Sequence, residues 1–128
     1  MWCAVMGKIN SKTKGKVAEL ELVKKFKEHG IETARRSAQF HGNTPEGSPD
    51  VLGVAGIHVE SKRTERLQLY EAMKQAIRDS EKQKNGIPVV FHRKNREDWV
   101  AIMRFDDWIE MWKALNDIHY WDNDDKNK

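Results

Sequence analysis

Residues 48–63 read SPDVLGVAGIHVESKR. Residues 50–54 and 57–62 have the composition of strands, and Ala55-Gly56 between them is a tight turn, so the stretch predicts a β-hairpin. Side chains alternate along a strand, which puts His58, Glu60 and Lys62 on one face and Ile57, Val59 and Ser61 on the other. Glu60 and Lys62 therefore project together from a strand end. Asp50 opens the strand that pairs with it. Two carboxylates and an ammonium can converge at one edge of the sheet. Acidic oxygens suit a hard cation such as Mg²⁺, which usually keeps several waters and binds phosphate as well. A lysine beside it can orient or deprotonate a bound water, or steady charge on a phosphate. A surface Asp and a Glu–Lys ion pair would show the same spacing, so the spacing alone leaves both readings open.

Working outward, residues 15–29 read as a helix closed by Gly30. Residues 31–37 read as a strand, and residues 38–48, AQFHGNTPEGS, as a loop rich in Gly, Asn, Pro and Ser. Thr64 is the expected N-cap of a helix running to about residue 84, ended by Asn85-Gly86. Residues 87–93 and 99–104 read as strands around the polar turn KNRED. Residues 105–115 form the last helix, with Asp106 and Asp107 at its positive end. The order α-β-β-β-α-β-β-α predicts an α/β fold, a central mixed five-stranded sheet flanked by helices. A single domain over 15–115 is expected, with a flexible basic arm at 1–14 and an acidic polar tail at 116–128.

In the first helix, Leu22, Val23 and Phe26 lie within about 60° of Glu19 at about 100° per residue, so Glu19 sits in the middle of the apolar face. Glu21 points away with the lysines. A carboxylate on a core stripe is costly unless it is paired or binds a metal. In the last helix, Phe105, Trp108, Ile109, Trp112 and Leu115 make an apolar stripe that reads as core or dimer surface. Trp99, Trp108 and Trp112 are candidates for the core. His58 shares the face of Glu60 and reads as a supporting or buried structural histidine. His29 sits at a helix end that favours a cation.

The 128 residues carry 23 Lys+Arg against 20 Asp+Glu, a net of only +3. The four acids and two lysines of the tail account for −2, so the rest of the chain stands at +5. Basic residues cluster at Lys8, Lys12, Lys14 and Lys16, at Arg35-Arg36, at Lys62-Arg63 with Arg66, and at Arg93-Lys94 with Arg96. Such clusters suit a polyanionic partner. The single Cys3 excludes an intrachain disulfide and a Cys-rich zinc site. No run of about 18 apolar residues is present, so no membrane partner is expected. The N-terminal MWCAVMGK places its basic residue after the apolar stretch, the reverse of a secretory signal, and an intracellular, cytoplasmic setting is expected.

The segment GKVAELELVKKFKEHGIETARRSA, then SPD, then HVESK, resembles the archaeal-type Holliday junction resolvases of the PD-(D/E)XK nuclease superfamily. The matching pattern is Gly15 with Glu19, Arg36-Ser37, Pro49-Asp50, and Glu60-x-Lys62, over about residues 14–104. The resemblance implies a restriction-endonuclease-like fold and hydrolysis of DNA phosphodiesters in four-way junctions. It implies that Asp50, Glu60 and the Ser61 main-chain carbonyl bind Mg²⁺, with Mn²⁺ able to substitute. Glu19 would complete the acidic site through water, and Lys62 would position the attacking water or stabilise the transition state. Arg36 would contact phosphate with Ser37 nearby, and Arg35, Lys14, Lys16 and Arg63 would add to the DNA-facing surface. It further implies a homodimer, whose two-fold symmetry matches that of a junction.

Two departures stand out. Leu20 follows Glu19 where the family often has a basic residue, and the 37–50 loop is longer than usual, carrying Phe40, His41 and Asn43. Other DNA substrates (duplex, flap or single strand) and a catalytically silent DNA-binding module therefore stay open beside the resolvase reading.

Overall fold

The computed structural model describes residues 11–37, 47–84 and 86–118, with side chains from Lys14 onward. The positions singled out at Cys3, Phe40, His41 and Asn43 lie outside the described residues. The elements are α1 (Ser11–Glu28), β1 (Arg35–Arg36), β2 (Val51–Leu52), β3 (Ile57–Arg63), α2 (Leu69–Gln83), β4 (Ile87–Arg93), β5 (Val100–Ile102) and α3 (Phe105–Asp117). The sheet order is β1-β2-β3-β4-β5, antiparallel except for the parallel β3–β4 pair. This is the mixed five-stranded sheet flanked by helices expected from the sequence, the restriction-endonuclease-like arrangement.

The hairpin forms as expected, with Val51 opposite Val59. Parallel neighbours need a crossover, and α2 supplies it between β3 and β4. Gly86 makes this pairing possible. Its φ is +112°, and a Cβ there would come within 2.4 Å of the Gly56 carbonyl oxygen, the group to which Ile87 N–H donates at 2.9 Å. From that point β3 and β4 run in register, Ile57 beside Ile87 through Arg63 beside Arg93.

The two faces of the sheet carry separate cores. Leu22 and Val23 of α1 pack with Ala34, Val51 and Val59, and Phe26 meets Phe91 edge-to-face at 5.2 Å between centroids. Ala72, Met73 and Ala76 of α2 pack with Val90. Val59 thus faces α1, and the alternate residues His58, Glu60 and Lys62 face α2. Burial of both faces makes β3 a central strand.

Several boundaries differ from the expectation. α1 starts at Ser11, four residues before Gly15. It ends as expected, because Gly30 at φ +92° and the Ile31 N–H to Phe26 carbonyl bond form a left-handed stop. β1 shrinks to Arg35–Arg36, since residues 31–34 turn through an Ala34 N–H to Ile31 carbonyl bond. Thr64 does not cap α2. The chain spends residues 64–68 climbing from the sheet, and the helix starts at Leu69 after Gln68, with no side-chain cap. The stripe on α3 is not core. No residue of α3 is buried, and Phe105, Trp108, Met111 and Trp112 are exposed, because no described element covers that face. Trp99 alone of the three core candidates packs against the α1 core. Among the described residues no helix is long and apolar enough to cross a membrane.

Candidate active site

The hairpin brings Asp50 to Glu60. Asp50 N–H donates to the Val59 carbonyl at 2.8 Å, and Ser61 N–H donates to Asp50 Oδ2 at 2.7 Å. Asp50 is thereby tied to β3 twice, once through its main chain and once through its carboxylate. Buried Ser37 anchors it from the other side through a Ser37 N–H to Asp50 carbonyl bond of 3.1 Å. Glu60 is 4% exposed on the α2 face of β3. Lys62, one pleat further on, brings Nζ to 3.7 Å from Glu60 Oε1 and donates to Gln75 Oε1 at 3.1 Å.

Glu19 reaches the same neighbourhood from α1. Its carboxylate accepts from Arg36 Nε at 2.7 Å, which satisfies the acid that the helix wheel places on the apolar face. One bond leaves most of the guanidinium's five donors for other partners.

Charge in this cluster is not balanced. Burial, and then repulsion from Asp50, push the Glu60 carboxyl up to about 8 against the partial relief of Lys62. Burial raises Asp50 as well, opposed by the Ser61 amide, Lys62 and His58. Burial and Asp50 raise Glu19, opposed by Arg36. Three acids that hold their protons too tightly form a site whose negative form calls for added positive charge. A donor set of carboxylate oxygens fits a hard cation. Among the described residues, His58, Glu60 and Asp79 have ligand atoms within 4.8 Å of one another, whereas Glu19, Asp50 and Glu60 do not all approach so closely.

Gln75 and Asp79 were not singled out from the sequence. They lie four residues apart on α2 and flank its buried stripe of Ala72, Met73, Ala76 and Ser80. The wheel that exposed Glu19 on α1 carries the same signal when applied to α2.

The basic candidates separate. Lys14 and Arg63 line one groove of about 680 Å³ with Val17, Thr64, Glu65 and Asn95. Arg63 Nη2 donates to Asn95 Oδ1 at 3.0 Å, and Asn95 N–H donates to Glu65 Oε2 at 2.6 Å, tying the β4–β5 turn to the β3–α2 connection. Lys16 is exposed and lies outside that groove. Arg35 is exposed and donates to the Thr33 carbonyl at 3.2 Å. Glu21 does not point to open solvent as the helix wheel suggests. The β4–β5 region folds against it, and it pairs with Arg93 and accepts from Trp99 Nε1 at 3.0 Å.

An acid opening one hairpin strand, with a Glu and a Lys two residues apart on the next, is similar to the PD-(D/E)XK nuclease site. The chain matches the archaeal Holliday junction resolvase (Hjc) family over residues 10–114, and it belongs to that family. Among solved structures it is similar to the Holliday junction resolvase Hjc of Archaeoglobus fulgidus, at 20% identity and a TM-score of 0.49, over 66% of this chain and 72% of that one. No curated protein matches significantly.

Proposed function

We propose that this chain is a Mg²⁺-dependent, structure-selective DNA endonuclease that resolves four-way junctions by paired phosphodiester hydrolysis. The observation that carries the reading is the Asp50–Glu60–Lys62 constellation, with Glu60 buried between a half-buried Asp50 and Lys62, set by one hairpin in a chain of the resolvase family. Asp50, Glu60 and the Ser61 main-chain carbonyl would hold the cation, with Glu19 reaching it through water. When bound, Mg²⁺ or Mn²⁺ supplies Lewis acidity to the phosphate and its attacking water. Asp50 is pre-positioned by the Ser61 amide and needs no reorganisation. Lys62 holds a positive charge where the phosphate gains negative charge and orients the attacking water. Arg36, Arg35, Lys14, Lys16 and Arg63 grip the backbone around the cut, and Arg36 also keeps Glu19 in place. The active form is a homodimer, so that two sites face opposite strands of a two-fold symmetric junction. The setting is intracellular. The 15–115 span would act as the nuclease domain, which α1 carries back to Ser11 and α3 carries on to Asp117.

The deciding experiment compares a synthetic four-way junction with linear duplex, flap and single strand, in Mg²⁺ and in chelator. Paired, symmetric nicks on the junction alone, lost in chelator, are expected. Equal cutting of linear duplex would make the chain a broader nuclease. Binding without cutting would make it a DNA-binding module.

A further inference from the structure

Lys62 ends a strand, and its long side chain has many rotamers to lose before it can act at one point. The structure gives its ammonium a second partner, on an element outside the family motif. Gln75 Oε1 lies 3.1 Å from Lys62 Nζ, closer than the 3.7 Å to Glu60 Oε1. Gln75 is half-buried and sits one helical turn before Asp79 on α2. The side chains of a helix repeat at i and i+4 with a spacing of about 6 Å, close to the two-residue repeat of a strand. Gln75 and Asp79 therefore run alongside Lys62 and Glu60 on the face of β3 that α2 covers.

The chemistry at position 75 is selective. An amide oxygen accepts from the ammonium without neutralising it. A carboxylate at that place would pair with Lys62, cancel its charge, and add a further acid to the repulsion among Asp50, Glu60 and Glu19. An apolar side chain would leave Lys62 with Glu60 as its near partner, an acid also proposed to hold the cation.

We propose that Gln75 is a positioning residue for Lys62, fixing the ammonium beside the scissile phosphate while leaving its charge intact. This rests on the nuclease reading above. The packing of α2 does not need the amide, since Ala72, Met73 and Ala76 carry its core contact.

The test is a double-mutant cycle on single-turnover cleavage of a synthetic four-way junction in Mg²⁺, comparing wild type, Gln75→Met, Lys62→Ala and the double variant. Junction affinity is measured in chelator and thermal stability alongside. Gln75→Met keeps the volume and removes the acceptor. It is expected to slow cleavage about ten- to a hundredfold, the usual cost of losing such a supporting bond, with affinity and Tm unchanged. On the Lys62→Ala background it is expected to change nothing further, because the group it positions is gone. Gln75→Asn, whose oxygen is one methylene short, is expected to behave like Gln75→Met. A wild-type rate in Gln75→Met, or a loss that multiplies fully with that of Lys62→Ala, overturns the proposal while leaving the nuclease reading intact. Failure of the wild type to cut any DNA overturns the nuclease reading, and the proposal with it.

Discussion

The main-chain N–H of Ser61 donates to Asp50 Oδ2 at 2.7 Å across the β2–β3 hairpin. The residue after one acid therefore holds the other. Asp50 and Glu60 cannot drift apart without breaking the hairpin, and their mutual repulsion is built into the folded state. That relationship sets up a site ready for a cation, and it makes the following outcomes measurable.

Asp50→Asn keeps an oxygen to accept from Ser61, so the hairpin should survive. Cleavage of a four-way junction is expected to fall by about 10³ or more in this variant and in Glu60→Gln. Junction affinity should stay within a few-fold, because phosphate contacts supply most of it. Gel-shift and cleavage assays on the same preparations check this. A variant that cuts normally removes its residue from the site.

Stability should depend on pH in an unusual direction. Glu60 holds its proton up to about pH 8 when folded, against an ordinary value of 4.5. The folded chain thus binds more protons than the unfolded chain across that window, and stability is expected to fall as pH rises through it. Asp50 and Glu19 push the same way. Thermal melts in chelator should show a lower Tm at pH 8.5 than at pH 5.5. Mg²⁺ should raise Tm more at the higher pH, and Glu60→Gln should flatten the profile. A metal-free Tm that rises steadily with pH would contradict the site's electrostatics.

Arg36→Ala should weaken junction binding and reduce the salt slope of log K by about one contact. It should also slow cleavage, since Glu19 loses the 2.7 Å bond that orients it. An unchanged slope with slowed cleavage would confine Arg36 to holding Glu19.

Glu21→Ala is expected to cost about 1–2 kcal/mol, because Arg93 and Trp99 Nε1 lose a shared, half-buried acceptor. The ratio of junction to duplex cleavage should not change. Chemical denaturation measures the first, and parallel cleavage rates the second.

The exposed Phe105, Trp108 and Trp112 of α3 are the part of the apolar stripe that folding leaves uncovered, with Met111 exposed beside them. A second copy docking there would explain both the exposure and the proposed homodimer. Trp112→Glu is expected to shift the chain from dimer to monomer in sedimentation velocity. A dimer of undiminished affinity would place the contact elsewhere.

Much of the candidate site was legible because its signals are local. The Ala55-Gly56 turn and the two-residue repeat of HVESK put Asp50, Glu60 and Lys62 together without any long-range information. Glu19 stood out because a 3.6-residue repeat shows a charge on an apolar stripe. The residues that were misplaced owe their positions to distant neighbours. Glu21 looked solvated until Arg93 and Trp99, more than 70 residues away, folded over it. Trp108 and Trp112 looked like core because a periodic stripe shows that a face is apolar but not what covers it.

By itself the sequence determined the order of elements, the hairpin, and the identity of the two acids and the lysine at its end, since each rests on backbone periodicity and turn chemistry within a few residues. Only the tertiary structure decided the rest. The crossover lays α2 on the inner face of β3 and brings Gln75 to Lys62 and Asp79 to Glu60. The loop after α1 returns Arg36 to Glu19. The physical reason is range: hydrogen bonds and desolvation that set a site's charge act through space, between segments whose proximity no local pattern encodes.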